Sequence, residues 1–271
     1  MSAYMLPAGN VMIQFSGGRT SAYMLRHILD ANNGLPDRAR VCFQNTGREM
    51  PETLNFVQEC SQRWGVPIVW LEYQPADPRF KVVTHQTAAR DGEPFEALIR
   101  KRNFLPNRVA RFCTAEMKVH CASRYAKSIG WESWLCAIGI RADEQRRIAK
   151  KPQKERWQPW YPLNDAGVSK LDVSRWWERQ SFDLKLANIK GKTPLGNCDG
   201  CFLKSEASRA ALAREYPERF AWWARMEQIA RGTFRPAEPY ADLARFVDRQ
   251  GDWVFDMEDA LCQADDGECT G

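Results

Sequence analysis

Short apolar segments alternate with amphipathic segments over the first half of the chain. The apolar runs predict strands, and segments with apolar residues at helical spacing predict helices between them. The predicted strands are 11–15, 40–46, 67–73 and 134–140, and the predicted helices are 20–30, 52–64 and 113–129. Strands separated by helices of about 10–15 residues are typical of a parallel sheet with helices on both faces. We therefore expect an α/β protein built on a mostly parallel, twisted sheet.

The pattern changes beyond the fourth predicted strand. Residues 141–157 are polar and basic and predict a loop, whereas 169–179 and 209–231 show helical spacing. The chain contains no internal repeat and no low-complexity tract. We therefore predict a sheet domain over residues 1–204 and a C-terminal helical extension with an acidic tail over 205–271.

Charge and cysteine content narrow the cellular context. The 39 basic and 34 acidic residues give a net charge of +5, a mild excess that is compatible with a polyanionic partner. No apolar run reaches the roughly 18 residues of a membrane span, and the N-terminal segment lacks a signal-peptide pattern. We expect a cytoplasmic protein without a membrane partner. Its nine cysteines then indicate metal or redox chemistry rather than disulfides.

A glycine-containing segment follows the first predicted strand and precedes the first predicted helix. It reads Ser16, Gly17, Gly18, Arg19, Thr20 and Ser21. Glycines let the backbone approach a ligand, and a helix N-terminus presents free N–H groups to an anion. The segment therefore predicts a binding site for a phosphate-like group, with hydroxyl donors and the charge of Arg19. The alternative is a plain strand-to-helix turn in which Thr20 or Ser21 is the N-cap.

Two cysteines lie three residues apart in the glycine-rich loop of residues 190–201. Gly196 and Gly200 would allow the backbone to wrap tightly around a bound group near Cys198 and Cys201. This spacing is compatible with a zinc site, a redox dithiol or half of an iron–sulfur site. The two cysteines alone do not distinguish these three kinds of site.

Six motifs occur in the order found in the phosphoadenosine phosphosulfate (PAPS) reductase family. SGGRTS resembles the SGGxDS PP-loop of the adenine-nucleotide α-hydrolase superfamily, which includes ATP pyrophosphatases, with Thr20 in place of the usual aspartate. The others are NTGREMPETLNFVQE (45–59), RFCTAEMKVH (111–120), GIRADEQRR (139–147), YPLNDAGVSKLDVSRWW (161–177) and GNCDGC (196–201). The chain thus resembles this family over about residues 11–204.

The resemblance implies a Rossmann-like (HUP-type) fold and an adenine nucleotide at the carboxyl ends of the strands. The nucleotide is ATP or an adenylyl-sulfate-type molecule, its phosphate end on residues 16–21 and its adenine near Asn45 and Thr46. Gly139 and Arg141 belong to a loop whose arginine the family uses on the phosphate or sulfate, and Arg141 is also a candidate catalytic residue.

Charged residues next to Arg141 extend this predicted site. Arg146 and Arg147 are further candidate contacts to the anion. Asp143 and Glu144 are expected either to orient the arginines or to bind Mg²⁺.

A [4Fe–4S] cluster is a second implication of the resemblance. Cys113, Cys198 and Cys201 are the predicted ligands, and Phe112 replaces the cysteine that the family carries before Cys113. A fourth ligand is then expected from Cys269, or less favourably from Cys262 or Cys121. Alternatively one iron stays open for sulfur, and zinc remains the alternative metal.

Cys269 has a second interpretation. Family members attack the sulfur of the bound nucleotide through a cysteine in a C-terminal Glu-Cys tail, and this chain ends Glu268-Cys269-Thr270-Gly271. Cys269 is therefore a candidate catalytic nucleophile, in a tail that keeps only part of the family pattern. A tail cysteine without a role is the alternative.

Three functions follow from these expectations. The first is a PAPS-reductase-like enzyme of sulfur metabolism with a thioredoxin-like reductant. The second is an ATP-dependent sulfur transferase acting on a base of tRNA or DNA, for which the basic residues 100–111, with Phe104, would contact the nucleic acid or simply form an exposed face. The third is a nucleotide or cluster sensor without catalysis. An oligomer is compatible with each.

Overall fold

The computed structural model describes residues 2–148 and 155–250. Its six strands are Val11–Gln14 (β1), Ala39–Asn45 (β2), Ile68–Glu72 (β3), Lys81–Val83 (β4), Trp134–Ala137 (β5) and Trp157–Trp160 (β6). They form one sheet in the order β4-β3-β2-β1-β5-β6. All neighbouring pairs are parallel except β3 and β4. The mostly parallel α/β sheet predicted from the sequence is confirmed.

Helices connect and extend the sheet. The N-terminal set comprises Arg19–Asn32 (α1), Pro51–Trp64 (α2), Glu93–Arg102 (α3), Phe112–Thr114 (α4), a π-helical segment Ala115–His120 and Cys121–Ser128 (α5). The C-terminal set comprises a 3₁₀ helix Ala142–Arg147, then Pro162–Asp165 (α6), Lys170–Trp177 (α7), Glu206–Glu215 (α8), Pro217–Ala230 (α9) and Tyr240–Gln250 (α10).

Two helix predictions need correction. The single helix predicted at 209–231 is two helices, because Pro217 cannot continue α8 and instead begins α9 after Tyr216 has left the helical region. The helix predicted at 113–129 is interrupted by the π-helical segment. In addition, 142–147 forms a 3₁₀ helix within the predicted loop.

Both faces of the sheet are covered, which explains why its central strands are apolar at successive positions. Val11 and Ile13 of β1 pack on the face that α1, α2 and α7 cover. Met12, between them, points to the opposite face and packs in a cluster with Cys121 of α5. Parallel sheets require such double coverage.

The C-terminal helices have their own hydrophobic cluster, and it includes residues from the first part of the chain. Phe95 of α3, Met117 of the π-helical segment and Cys198 pack in one cluster with Trp223 of α9 and Val247 of α10. The helices after residue 204 therefore support the cysteine-bearing segments, and the domain division at that residue stays a prediction. Among the described residues, no helix combines the length and apolarity that a membrane crossing requires.

Candidate functional site

The glycine segment forms a closed turn between β1 and α1. The Ser21 hydroxyl donates to the Gly18 carbonyl at 3.0 Å and accepts from the Ser16 N–H at 3.1 Å. Gly17 adopts φ +79°, and a Cβ there would lie 2.7 Å from Cγ2 of Thr53. The N-cap is Gly18 and no side chain caps α1, so the N-cap roles considered for Thr20 and Ser21 are wrong. The first-turn N–H groups of α1 remain available to an anion.

Arg141 lies against this helix N-terminus. Its Nη1 donates to Oγ1 of Thr20 at 3.3 Å, and its side chain is only 3% exposed. Nε of Arg141 donates to the Asp143 carboxylate at 2.9 Å, and Nη2 of Arg141 lies 3.5 Å from the Glu144 carboxylate. Gly139, two residues earlier, passes close enough that an added Cβ would lie 3.6 Å from Cα of Ser21. The structure therefore brings the 139–141 segment and the glycine turn together.

Arg19 does not supply charge to the turn as expected. Its guanidinium bonds both oxygens of Asp183 at 2.7 Å and the hydroxyl of Thr193 at 3.1 Å. It also donates to the carbonyl oxygens of Leu184 and Leu186. Because its charge is neutralised by Asp183, Arg19 holds the 183–193 segment beside the turn, which corrects the expected supply of charge. Arg19 also lines the recess beside the turn, so its contact with a ligand stays a prediction.

A recess lies between the turn and this segment. We call it the loop recess, and the residues that define it are Gly17, Gly18, Thr20, Thr53, Lys170 and Asn197. Oγ1 of Thr53 and Nδ2 of Asn197 are buried and have no hydrogen-bond partner among the described residues. Both can donate to phosphate oxygens. Thr53 and Asn197 fall inside two of the quoted motifs, but the sequence reasoning did not single them out, nor Lys170.

A second opening lies on one face of the sheet, against the π-helical segment and α5, and extends to the carboxyl ends of β1 and β2. This strand-edge pocket is lined by Gln14, Ser16, Gln44, Lys118, Ile138 and Trp157, among others. Its lining is largely apolar, as a purine ring requires, and the buried Nε2 of Gln44 has no partner among the described residues. Gln44 is thus a candidate base contact that the sequence reasoning missed.

Asn45, predicted to lie near the adenine, is fully buried and committed elsewhere. Its Nδ2 donates to Glu72 at 2.7 Å and to the Ala89 carbonyl at 2.8 Å, while its Oδ1 accepts from the Gly47 N–H at 3.1 Å. Both amide hydrogens and one of the two lone pairs of Oδ1 are thus used inside the protein. Asn45 therefore shapes the strand end rather than contacting a ligand, which corrects the prediction.

The three predicted ligand cysteines line one pocket. We call it the cysteine pocket, and the residues that define it are Thr46, Cys113, Lys118, Cys198 and Cys201. Thr46 lies here rather than beside the base, with Oγ1 3.3 Å from Sγ of Cys198. No disulfide joins the cysteines of residues 2–148 and 155–250.

Comparison with known proteins agrees with this arrangement. The family model described as "Phosphoadenosine phosphosulfate reductase domain" matches residues 10–181, well over half of the chain. The chain belongs to the PAPS reductase domain family.

Individual relatives add little about activity. The "Uncharacterized nin region protein ORF290" of Escherichia phage lambda is 30% identical over 203 residues, which cover 72% of this chain and 66% of that protein, slightly less than two thirds of its length. The fold is similar to a PAPS reductase from Candida auris in a phosphate complex (TM-score 0.43, 14% identity, covering 66% of this chain and 79% of that one). It is also similar to the U34-tRNA thiolase NcsA from Methanococcus maripaludis with its [4Fe-4S] cluster (TM-score 0.44, 14% identity, covering 91% of this chain and 73% of that one).

A buried ion network holds the cysteine pocket of this PAPS reductase domain in place. Asp199, between the two cysteines of the C-x-x-C segment, is fully buried and binds Arg48 at 2.7 Å and Arg219 at 2.6 Å. Trp223 Nε1 donates to the same carboxylate at 2.9 Å. A Cβ on Gly200 would collide with the Trp223 ring, so only glycine permits this approach. Asp199 thus links the cysteine segment to α9.

Lys118 separates the strand-edge pocket from the cysteine pocket and lines both. Near it lies Glu49, a buried carboxyl that accepts from the Thr46 N–H and hydroxyl at 2.9 Å. Burial raises the pKa of Glu49, and the positive charge of Lys118 opposes that rise. Glu49 pairs through its backbone with Cys198 in an isolated bridge. The strand-edge pocket and the cysteine pocket therefore share one cationic residue.

Of the remaining charged candidate residues, Arg146 is exposed and the others are held in ion pairs. Arg146 is exposed on the 3₁₀ helix, whereas Arg147 is turned inward and pairs with Glu144. Asp143 accepts from Arg141 and from the Lys170 N–H. Because both carboxylates hold arginines, Asp143 and Glu144 match the orienting role, and the Mg²⁺ role stays a prediction.

The cysteine pocket fits an iron–sulfur cluster only in part. Thiolates are the correct donors, and three face one cavity, but a [4Fe–4S] cluster takes four protein ligands or leaves one iron open. Within the described ranges, no set of three or more histidine, cysteine or acidic side chains is arranged to hold a metal ion. Cys121 is buried in the sheet core and lies outside the pocket, so its role as a substitute ligand is wrong. Cys262 and Cys269 lie outside the described residues.

Thiol reactivity should separate the core cysteines from the pocket. Burial raises the pKa of Cys121 and of Cys136 to about 12, and it also raises the pKa of Cys42 and Cys60. At neutral pH the thiolate fraction of a pKa-12 thiol is about a thousandfold below that of an ordinary cysteine. We expect iodoacetamide to label Cys113, which is partly exposed, well before these four, as measured by peptide mass spectrometry.

The same labelling in denaturant is the control, because unfolding should make all of these thiols equally reactive. Native labelling of Cys121 or Cys136 as fast as Cys113 would contradict the assignment of the two groups.

Proposed function

We propose that the protein is a PAPS-reductase-like enzyme of sulfur metabolism that binds an adenine nucleotide. The phosphate end lies in the loop recess against the N–H groups of α1, with Gly18 and Thr20 around it and Arg141 beside Thr20. Ser16 of the same turn faces the strand-edge pocket. The base lies in the strand-edge pocket. The observation that carries this proposal is that Lys118 lines both the strand-edge pocket and the pocket of three cysteines.

Each group has a chemical role in this proposal. The α1 N-terminus and Arg141 stabilise the negative charge on the phosphate end of the nucleotide. The carboxylates of Asp143 and Glu144 fix the orientation of the Arg141 guanidinium. Asn197 and Thr53 donate the hydrogen bonds that they lack without a ligand. Membership of the family supports this nucleotide class.

Reduction would then proceed at a cysteine. The Cys269 thiolate attacks the sulfur of the phosphosulfate, the sulfur–oxygen bond to phosphate breaks, and the nucleotide phosphate leaves with that electron pair. The thiosulfonate on Cys269 is reduced by a dithiol partner of the thioredoxin type, which becomes a disulfide as sulfite leaves. Cys269 lies outside the described residues, so its role rests on the resemblance of the tail.

A second candidate is ATP-dependent thiolation of a nucleic-acid base. It is favoured by the grouping of Cys113, Cys198 and Cys201 around one pocket, which supplies thiolates for a sulfur-carrying group without the tail. A cluster bound there would present sulfur to a base activated by adenylation. A sensor that binds nucleotide without turnover remains the third outcome.

Nucleotide binding tests what the two enzymatic candidates share. Arg141→Ala should weaken binding of ATP or PAPS about 10- to 100-fold, because a charged hydrogen bond contributes about 1.5–3 kcal/mol. Isothermal titration calorimetry measures this. Arg146→Ala is the matched control, five residues away and exposed, and should change affinity less than about twofold. Equal losses of nucleotide affinity in the two variants would contradict the proposed phosphate-binding site.

Product analysis then separates the candidates. Anaerobically purified protein is assayed for iron, sulfide and zinc, then given PAPS with a reduced dithiol protein, or ATP with RNA and a sulfur source. Sulfite release that is lost in Cys269→Ser supports the reductase. Thiolated nucleosides that persist in Cys269→Ser and vanish in Cys198→Ser support the thiolase, and tight binding with neither product supports the sensor.

A further inference from the structure

Exposed basic and apolar side chains lie together at the end of α3 and in the loop that leads to α4. We call residues 100–111 the basic loop. It contains no acidic residue and five basic ones, Arg100, Lys101, Arg102, Arg108 and Arg111. Two apolar residues also face solvent, Phe104 at 52% and Val109 at 96% exposure. Cations interleaved with an exposed aromatic ring are typical of surfaces that bind single-stranded nucleic acid.

The tip of the basic loop is an ordered turn. Oδ1 of Asn107 accepts from the N–H groups of Val109 and Ala110 at 2.9 and 2.8 Å, and the Asn107 N–H donates to the Ala110 carbonyl at 3.2 Å. Leu105, before the turn, is buried in the cluster under α9. The turn therefore presents Arg108 and Val109 outward with little entropy left to lose on binding.

The basic side chains of this loop differ in how their charges are used. Arg100 and Arg102 pair with glutamates of α3 and of the π-helical segment. By contrast, within residues 2–148 and 155–250 the guanidinium groups of Arg108 and Arg111 show no ion pair or hydrogen bond, and Nε of Arg111 is buried. A polyanion could bind these two arginines without breaking an existing pair.

The basic loop is continuous with the candidate site. The ring of Phe104 lies 6.2 Å from that of Phe112, and the Arg102 guanidinium lies over the Phe112 ring at 5.7 Å. Phe112 directly precedes Cys113, which lines the cysteine pocket. On the other side, Lys101 and Arg102 line a recess of about 260 Å³ together with Arg79 and Glu116. Glu116 pairs with Arg102, so the basic side chains extend from this recess to the edge of the cysteine pocket with one carboxylate among them.

We propose that the basic loop docks a single-stranded segment of nucleic acid beside the cysteine pocket. Arg108 and Arg111 contact phosphates, and Phe104 stacks on a base. An acidic protein would also be attracted by the charge, but the aromatic ring exposed among the arginines matches the face of a base. The proposal goes beyond nucleotide binding and gives the thiolation candidate its acceptor class.

The test measures binding of a fluorescein-labelled single-stranded RNA of mixed sequence to the full chain by anisotropy, over a range of salt. Arg108→Gln/Arg111→Gln should weaken binding at least about tenfold and lower the log–log salt slope by about 1.4, since each phosphate contact adds about 0.7. Phe104→Ala should weaken it about tenfold without changing the slope. The control Arg26→Gln/Arg63→Gln removes the same charge from exposed positions of α1 and α2 and should have little effect.

Three results would overturn the proposal: no RNA binding by the wild type, equal losses in the control and test variants, or displacement of the RNA by poly-glutamate with no effect of Phe104→Ala. The last would assign the surface to an acidic protein. ATP and PAPS affinities are measured on the same variants and should not change. If RNA binds but no nucleotide does, the proposed function fails and the docking surface stands. If a nucleotide binds but RNA does not, the docking surface fails and the proposed function stands.

Discussion

Replacing Gly17 by alanine should both destabilise the protein and abolish most nucleotide binding. The added Cβ would lie 2.7 Å from Thr53 Cγ2 and 3.1 Å from Val57 Cγ2, on a backbone with φ +79°. The backbone strain costs about 1–3 kcal/mol and the overpacking against α2 a further 1–3 kcal/mol. We expect the free energy of unfolding to fall by about 2–6 kcal/mol, measured by urea denaturation.

Binding should fall for a separate reason. Relief of the clash requires the turn to move away from Thr53, which lines the loop recess, so the N–H groups of α1 would no longer face the same position. We therefore expect the affinity for ATP or PAPS to fall at least about tenfold. A tenfold loss corresponds to only about 1.4 kcal/mol of binding free energy.

Gly9 offers a matched control for this variant. It adopts φ +83°, nearly that of Gly17, but an added Cβ there meets nothing within 4 Å. Gly9→Ala therefore isolates the backbone strain and should cost about 1–2 kcal/mol without loss of nucleotide affinity. Similar stability and binding for the two variants would show that the contact with Thr53 does not shape the turn.

The sheet was predictable because its central strands are buried on both faces. Burial of all positions except Gln14 in β1 and Arg40 in β2 produces largely apolar runs that are visible in the sequence. The edge strands lack this signal. β4 has three residues and begins with exposed Lys81, and β6 contains Pro159, which argues against a strand except at a sheet edge. Both were missed for that reason.

The glycine turn between β1 and α1 was predictable, but the roles of its side chains were not. Glycines between a strand and a helix are a local signal, whereas the direction of Arg19 depends on Asp183, 164 residues away. Asn45 was misassigned because its partner Glu72 lies on β3. The sequence placed the three cysteines together through motif order, yet the network that holds them, with Asp199 at its centre, depends on Arg219 and Trp223 of α9. Long-range polar pairing leaves no periodic pattern to detect.

The cysteine pocket and the loop recess are backed by different helices. The loop recess is lined by the glycine turn, the start of α2, α7 and the 184–197 segment, while the cysteine pocket is backed by α9 and α10. Lys118 lines the strand-edge pocket and the cysteine pocket. A variant in the C-terminal helices is thus expected to disturb the cysteine pocket while leaving the loop recess intact.

Asp199→Ala is the variant that tests this separation. It leaves Arg48, which is 3% exposed, without the carboxylate that compensates its buried charge. Removing one partner of a buried pair costs about 3–5 kcal/mol, and the loss of the Trp223 hydrogen bond adds to it. We expect a corresponding fall in the free energy of unfolding, together with faster iodoacetamide labelling of Cys198 and Cys201.

Asp30→Ala provides the matched control, because its exposed pair with Arg26 on α1 contributes only about 0.3–0.5 kcal/mol. Arg219→Ala is a milder probe in case Asp199→Ala does not fold. It leaves Asp199 bound to Arg48 and Trp223, and should cost about 1.5–3 kcal/mol as a lost charged hydrogen bond. Both network variants should keep nucleotide affinity within about twofold if they fold, since no network residue lines the loop recess. Labelling of Cys198 and Cys201 at the wild-type rate in Arg219→Ala would show that the ion network does not hold the cysteine pocket closed.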